Sequence, residues 1–270
     1  HDATPVYLGV TLDRTLSYKQ HLTKTSAKIK TRNNLLQKLT GTSWGASAHT
    51  LRSSAMALCW SVAEYCAPVW SRSPHTGLID PRLNDAMRII TGSLRPTPLA
   101  WLPVLANIPP PTIRREALAA SFAASIVDRE ELPLHVDLAH HPPLRLTSRN
   151  PIWQSPHDVD INLKWREKWE ANPPTGAYLI DDPTSQVPGF DLPRREWVSL
   201  NRSRTGVGRC FHNLHKWGYS DSPSCKCEAL QTVAHIVNDC PLSRFEGGLT
   251  ALHTASTSAV DWLRRDHCIR

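Results

Sequence analysis

The chain has 270 residues, and 31 Lys and Arg against 24 Asp and Glu leave a formal net charge of +7. That length can bury at least one real core and suits about two domains, while the charge is compatible with a polyanionic partner without demanding one. No apolar run is long enough to cross a membrane, and seven cysteines, three of them within residues 225–240, argue against a secreted disulfide framework and for a reducing, intracellular compartment.

The start, His1-Asp2-Ala3-Thr4-Pro5, is neither an initiator methionine nor a signal peptide, so a piece of a longer protein is expected. Residues 6–13 alternate, with Val6, Leu8, Val10 and Leu12 on one face, which predicts a half-buried strand; Gly9 hints at a bulge or close backbone approach. A helix is expected over Ser17–Leu39, carrying Leu22, Ile29, Leu36 and Leu39 inward and stopped by Gly41. From Arg14 to Ala63 there is no acidic residue, yet Arg14, Lys19, Lys24, Lys28, Lys30, Arg32, Lys38 and Arg52 all fall there. Such a run is either a solvated face or a polyanion-binding one, and the missing counter-charge favours neither fully. A second helix is expected over Ala48–Val69, with Cys59 and Cys66 as small inward hydrophobes rather than ligands. A third is expected over Ile79–Thr91, ended near Gly92, and a fourth from Pro111, which suits a first turn, to about Glu131.

Ten prolines between 133 and 193 predict an extended linker, interrupted by one helix in "INLKWREKWEAN", where Trp165 and Trp169 share a docking or core face. A last compact piece should begin near Leu192. It opens on Arg194, Arg195, Arg202, Arg204, Arg209 and Lys216, against the single acid Glu196. The fold class expected is mainly α: a short N-terminal strand (residues 1–14), a helical bundle (15–132), the proline-rich linker (133–191), a small basic metal-binding domain (192–245) and a tail (246–270).

Within that last piece the spacing is Cys225-x-Cys227-x7-His235-x4-Cys240. Three thiolates and an imidazole meet the preference of zinc for a soft tetrahedral set, and four protein ligands leave no open position, so the metal would be structural. The one-residue gap in "CKC" requires a sharp bend. "TVAHIVND" reads as one or two helical turns presenting His235, and Pro241 disfavours helix at Cys240, letting that sulfur turn back. Cys210, His212 or His215 could replace one ligand, and a set of uncoordinated thiols is the remaining alternative.

At "VYLGVTLD…LSYKQHL", the helices after it, and "RSRTGVGRCFHNLHKWGYSDSPSCKCEALQTVAHIVNDCPL", the chain resembles the C-terminal part of a non-LTR (LINE-type) retrotransposon reverse transcriptase. The resemblance implies that Tyr7, Leu8 and Gly9 are a primer-grip strand ending the palm, that 15–132 is the thumb, and that Cys225, Cys227, His235 and Cys240 form a CCHC knuckle. It makes Lys19, Lys24, Lys28, Lys30 and Arg32 candidates for duplex phosphates, and Arg202, Arg204 and Arg209 candidates for RNA or target DNA. Trp217 and Tyr219 are possible stacking partners, though a core role is the first expectation for either. The implied partners are template RNA and primer or target DNA in a nuclear or cytoplasmic ribonucleoprotein. Magnesium is expected only in a palm that would precede this chain, with its paired carboxylates. Asp181 and Asp182 in "YLIDDP" are rejected as that pair: their spacing from the tyrosine and their place in the linker are wrong. So little chain follows the knuckle that no endonuclease is expected there. The chain alone is therefore expected to hold nucleic acid and not to polymerise it. The alternative is a stand-alone zinc-stabilised nucleic-acid-binding protein derived from such an element, and a protein-interaction module is a third reading.

Overall fold

The computed structural model describes residues 4–140, 151 and 158–265, and these are mainly helical with one two-stranded sheet. The first three residues of the expected palm piece, residues 141–150 and 152–157 of the expected linker with Pro142, Pro143 and Pro156, and residues 266–270 of the expected tail lie outside the described residues.

The expected single strand over residues 6–13 is instead a hairpin. β1 (Val6–Tyr7) pairs antiparallel with β2 (Val10–Thr11), Val6 opposite Thr11 and Tyr7 opposite Val10. Leu8 and Gly9 make the turn at φ +46° and +79°, the left-handed pair that a two-residue hairpin turn favours. Alternation describes a face only while the chain runs straight, and a glycine at the second turn position lets it reverse. The hairpin leans on Tyr65, whose hydroxyl donates to the Leu8 carbonyl at 2.9 Å. A Cβ on Gly9 would stand 3.1 Å from that ring.

α1 (Lys19–Gln37) buries Leu22, Thr25, Ile29, Asn33 and Leu36 at spacings of three and four, one stripe along the helix. Leu39 falls beyond the helix end and is exposed, against expectation. The stripe packs on α2 (Ala48–Ala55), whose N-cap Ser47 accepts from the Thr50 N–H, and on α5 (Asp80–Thr91). Fully burying a leucine or isoleucine of this kind contributes about 1.5–3 kcal/mol. The helix expected from Ala48 to Val69 is interrupted. A π turn over Met56–Trp60 leads into α3 (Ser61–Ala63), Cys66 sits at φ +53°, and the chain restarts as α4 (Ala67–Trp70). Pro68 explains the break: it has no N–H to give and its ring would strike the carbonyl of Glu64 in a continuous helix. Cys59 is buried with its thiol donating to the Asn33 side chain, and desolvation pushes it up to about 11, as suits a core group.

Several helices escaped the sequence reading, the first of them between Gly92 and Pro111. α6 (Trp101–Ala106) has all six side chains buried, and its proline lies early enough to cost no interior hydrogen bond. α7 (Pro111–Val127) starts on the expected proline and stops short of Glu131, and α8 (Pro133–Ala139) follows.

The expected linker is corrected over its described second half. α9 (Ile161–Ala171), capped by the Asp160 carboxylate, turns Trp165 and Trp169 into a core with Trp101, Val104, Leu105, Ile113, Leu179, Val187, Phe190 and Trp197. Trp101 meets Trp169 edge-on at 5.4 Å, and Phe190 meets Trp197 at 5.2 Å. Prolines forbid regular elements, but they do not stop the apolar residues between them from packing.

The expected boundary at 192 and the expected tail are corrected as well. α10 (Arg194–Thr205) is buried almost all round, lying between the bundle and the C-terminal residues. On one side it meets the end of α5. On the other, Leu200 joins Cys210, Val233, Ile236, Val237, Leu252, Ala259 and Leu263 in a small third core. That core includes α12 (Gly248–His253) and α13 (Thr257–Arg265), so residues 248–265 are packed structure. α11 (Phe211–Lys216) is the short helix between α10 and the cysteine cluster.

The α5–α10 contact has a chemical reason. The last carbonyls of a helix have no partner within it. At the end of α5 they are taken by α10. Arg194 donates to Ile89 and Ile90, Trp197 also to Ile90, Asn201 to Thr91 and Arg202 to Gly92. The negative end of the helix dipole favours guanidinium there. Gly92, at φ +69°, is the only residue type that fits: a Cβ would stand 2.2 Å from a Val198 methyl.

Candidate metal centre

Residues 223–231 fold back on themselves to present the first two cysteines. Cys225 N–H donates to the Ala229 carbonyl at 2.7 Å and Gln231 N–H to that of Pro223 at 3.0 Å, with Ser224 bridged to Leu230. Glu228, at φ +73°, closes the bend that the one-residue gap between Cys225 and Cys227 requires. The next helical turn begins where the Thr232 hydroxyl accepts from the His235 N–H, and it widens to a π turn over His235–Asp239. Cys240 N–H donates five residues back to the His235 carbonyl at 2.8 Å. That wide turn is what aligns two ligands five apart, which an α-turn would splay. Cys240 itself is extended, at φ −66° and ψ 121°, as a residue before proline must be.

The four side chains converge, their ligand atoms all within 4.8 Å of one another. Cys225 Sγ lies 3.7 Å and Cys227 Sγ 3.9 Å from Cys240 Sγ, and Cys227 Sγ lies 3.2 Å from His235 Nε2. A tetrahedron with metal–sulfur bonds of about 2.3 Å has edges of about 3.8 Å. The set can therefore hold a metal ion and is compatible with structural zinc.

The thiols carry the electrostatic mark of such a set. Burial opposes ionisation of Cys225, but hydrogen bonds from the Cys227 backbone, Gln231 and the two neighbouring thiols outweigh it and draw it down to about 7. Cys227, despite a lowering bond from the Ala229 backbone, is raised by desolvation and by the two sulfurs beside it. Three sulfurs this close cannot all ionise without a cation among them.

Sequence reasoning missed Gln231. It is buried, its Nε2 lies 3.7 Å from Cys225 Sγ, and its Oε1 accepts from the Phe211 N–H at 2.8 Å, the start of α11. A supporting contact of this kind orients a ligand, and no spacing rule marks a lone glutamine for it. None of the alternative ligands joins the cluster: Cys210 is in the third core, His215 Nδ1 faces the Ser220 carbonyl, and the His212 N–H donates to the Gln231 carbonyl.

The other candidates divide. Lys19, Lys24, Lys28 and Lys30 are exposed on α1, and Arg32 is half-buried with Nη1 on the Leu58 carbonyl. They do not make one face. Lys24 and Lys28 are one turn apart, and Lys30 is carried roughly 160° round the helix from Lys28. Arg209 is exposed. Arg202 and Arg204 are each 1% exposed, which corrects their assignment as open-surface contacts to nucleic acid; Arg202 also lines a groove. Arg202 caps α5, and Arg204 donates to Pro188, Asn201 and His253 while lying over the Trp197 ring. The basic count in α10 reflects orphan carbonyls that needed donors.

Tyr7 and Leu8 stand out from the hairpin, and Tyr219 is 80% exposed, against the first expectation of a core role. Asp182 is engaged by Arg166 at 3.0 Å and by Thr184, and this pairing holds its carboxyl well below the usual range. No helix among the described residues is long and apolar enough to cross a membrane. Comparison with known protein families, curated proteins and solved structures gave no match.

Proposed function

We propose that this chain is the nucleic-acid-holding C-terminal part of a non-LTR retrotransposon reverse transcriptase, with zinc at Cys225, Cys227, His235 and Cys240 in a structural role. The observation that carries the reading is the four-ligand cluster in a chain whose first helix is flanked by lysines without counter-charge. Zinc has no open position there and performs no chemistry; it fixes the fold-back around residues 223–231 against the third core. Lys24, Lys28 and Arg209 are the phosphate contacts of this proposal, and Tyr219 is its stacking platform. The hairpin tip at Tyr7, Leu8 and Gly9 approaches the primer end.

The test is equilibrium binding of the whole chain to an RNA–DNA duplex and to single-stranded RNA across a salt series. Affinity should fall steeply as salt rises, and reversing Lys24 and Lys28 should flatten the slope by about two units. Binding that is absent or indifferent to salt would favour a protein-interaction module instead. A primer-extension assay should show no templated synthesis, and synthesis by this chain would overturn the rejection of Asp181 and Asp182.

A further inference from the structure

A groove of about 510 Å³ runs where α1, the end of α5 and α10 meet. Its lining carries Lys30, Arg82, Arg88, Arg95, Arg194 and Arg202, with Asp85 as its single acid. Asp85 is already engaged by Arg82 at 3.6 Å and by Arg88 at 3.2 Å. Arg194 spends its donors on the Gly41, Ile89 and Ile90 carbonyls.

Arg202 does not spend all of its own. Its Nε donates to Gly92, but Nη1 is buried without a partner in a side chain that is 1% exposed. Arg88 Nε is likewise buried and unpartnered. Among the described residues no carboxylate pairs with Arg194 or Arg202. A buried cation without a counter-ion is costly, and an orphaned guanidinium donor adds to that cost. Desolvation, with Arg209 and Arg194 nearby, lowers Arg202 to about 10, so it still carries its charge at neutral pH. At the mouth, Lys30 and Arg95 are exposed.

We propose that this groove is a phosphate site, with Arg202 Nη1 and Arg88 Nε at its floor and Lys30 and Arg95 at its mouth. Phosphate supplies acceptor oxygens in several directions, matching donors that reach it from three elements, and guanidinium binds it through charge-assisted hydrogen bonds. The ligand is either free inorganic phosphate or a phosphodiester of a polynucleotide. The site is separate from the Lys24 and Lys28 flank and from the metal centre, and in the phosphodiester case it extends the reading proposed above.

The experiment titrates inorganic phosphate into the metal-loaded full chain, with chloride replacing it at constant ionic strength, and follows heat release and melting temperature. Saturable one-site binding is expected. Lys30→Glu and Arg95→Glu, both at exposed positions and checked for an unchanged melt without phosphate, should each weaken it at least tenfold. Arg202→Met tests the floor, and if it does not fold the two mouth variants still decide. No saturable binding, or affinity unchanged from that of the unaltered chain in both mouth variants, would overturn the site. Competition by an oligonucleotide lacking terminal phosphates assigns the site to phosphodiesters. Phosphate binding without that competition keeps the site, assigns it to free phosphate, and leaves the nucleic-acid reading to its own salt test.

Discussion

α1 and α10 look alike as sequence, each rich in cations and poor in acids, yet they meet opposite fates. The lysines of α1 stand in solvent on two flanks of a helix whose other side is core. Arg194, Arg202 and Arg204 of α10 are buried, donating to carbonyls of α5, to Pro188 and to the His253 region. The difference lies in the head group. A guanidinium can serve several fixed acceptors at once and is weakly hydrated, whereas an ammonium is a compact charge that holds its water. Arginine and lysine should therefore be weighed separately when a basic stretch is read as a docking surface.

The comparison can be broken most severely at the four-ligand cluster, by withholding the zinc proposed for it. Structural zinc sites contribute apparent energies on the order of 10–16 kcal/mol. Chelation should release residues 223–245 and strip α10 of the neighbours packed around Leu200, seen as lost amide protection there. Retained protection after complete metal loss would mean that the third core suffices alone. Next in size, Arg194→Lys keeps the charge but cannot reach Gly41, Ile89 and Ile90 together. It should cost about 3 kcal/mol in urea unfolding, near the range for breaking a buried charged network. The opposite exchange, Lys24→Arg, should stay within about 0.5 kcal/mol. Equal losses at the two positions would end the distinction.

A smaller effect concerns His253, whose Nδ1 accepts from Arg204 Nε at 3.0 Å. Burial and the adjacent guanidinium lower it to about 4, with Asp181 pulling weakly the other way. The unfolded chain protonates this histidine below about 6.5. Between that pH and about 4 the unfolded state binds more protons, so stability should fall as the solution is acidified. His253→Asn preserves an acceptor for Arg204 and should flatten the decline of melting temperature between pH 7 and 5. An unchanged slope would remove His253 as its source. Smallest of all, Lys24→Glu with Lys28→Glu should barely move stability while weakening nucleic-acid binding.

What could be read beforehand follows the range of the interaction. The four candidate ligands lie within residues 225–240, so spacing and the Cys240–Pro241 restriction pointed to residues that the fold brings together. The stripe Leu22, Ile29 and Leu36 and the stop at Gly92 were visible for the same local reason. The roles of Arg194 and Arg202 were not, because their acceptors lie 104 to 153 residues away. Phe190 and Val187 were lost to sight among prolines, since a pattern rule registers broken elements and not packing. The π turn that aligns His235 with Cys240 leaves no signature of its own.

The capping of α5 by α10 also sets a clock on biosynthesis. Ile90 emerges 104 residues before the arginine that binds its carbonyl. At about 5–20 residues per second, the end of α5 waits on the order of 5–20 s for its donors. During that interval the carbonyls at the end of α5, beside Gly92, have only water to satisfy them until α10 arrives.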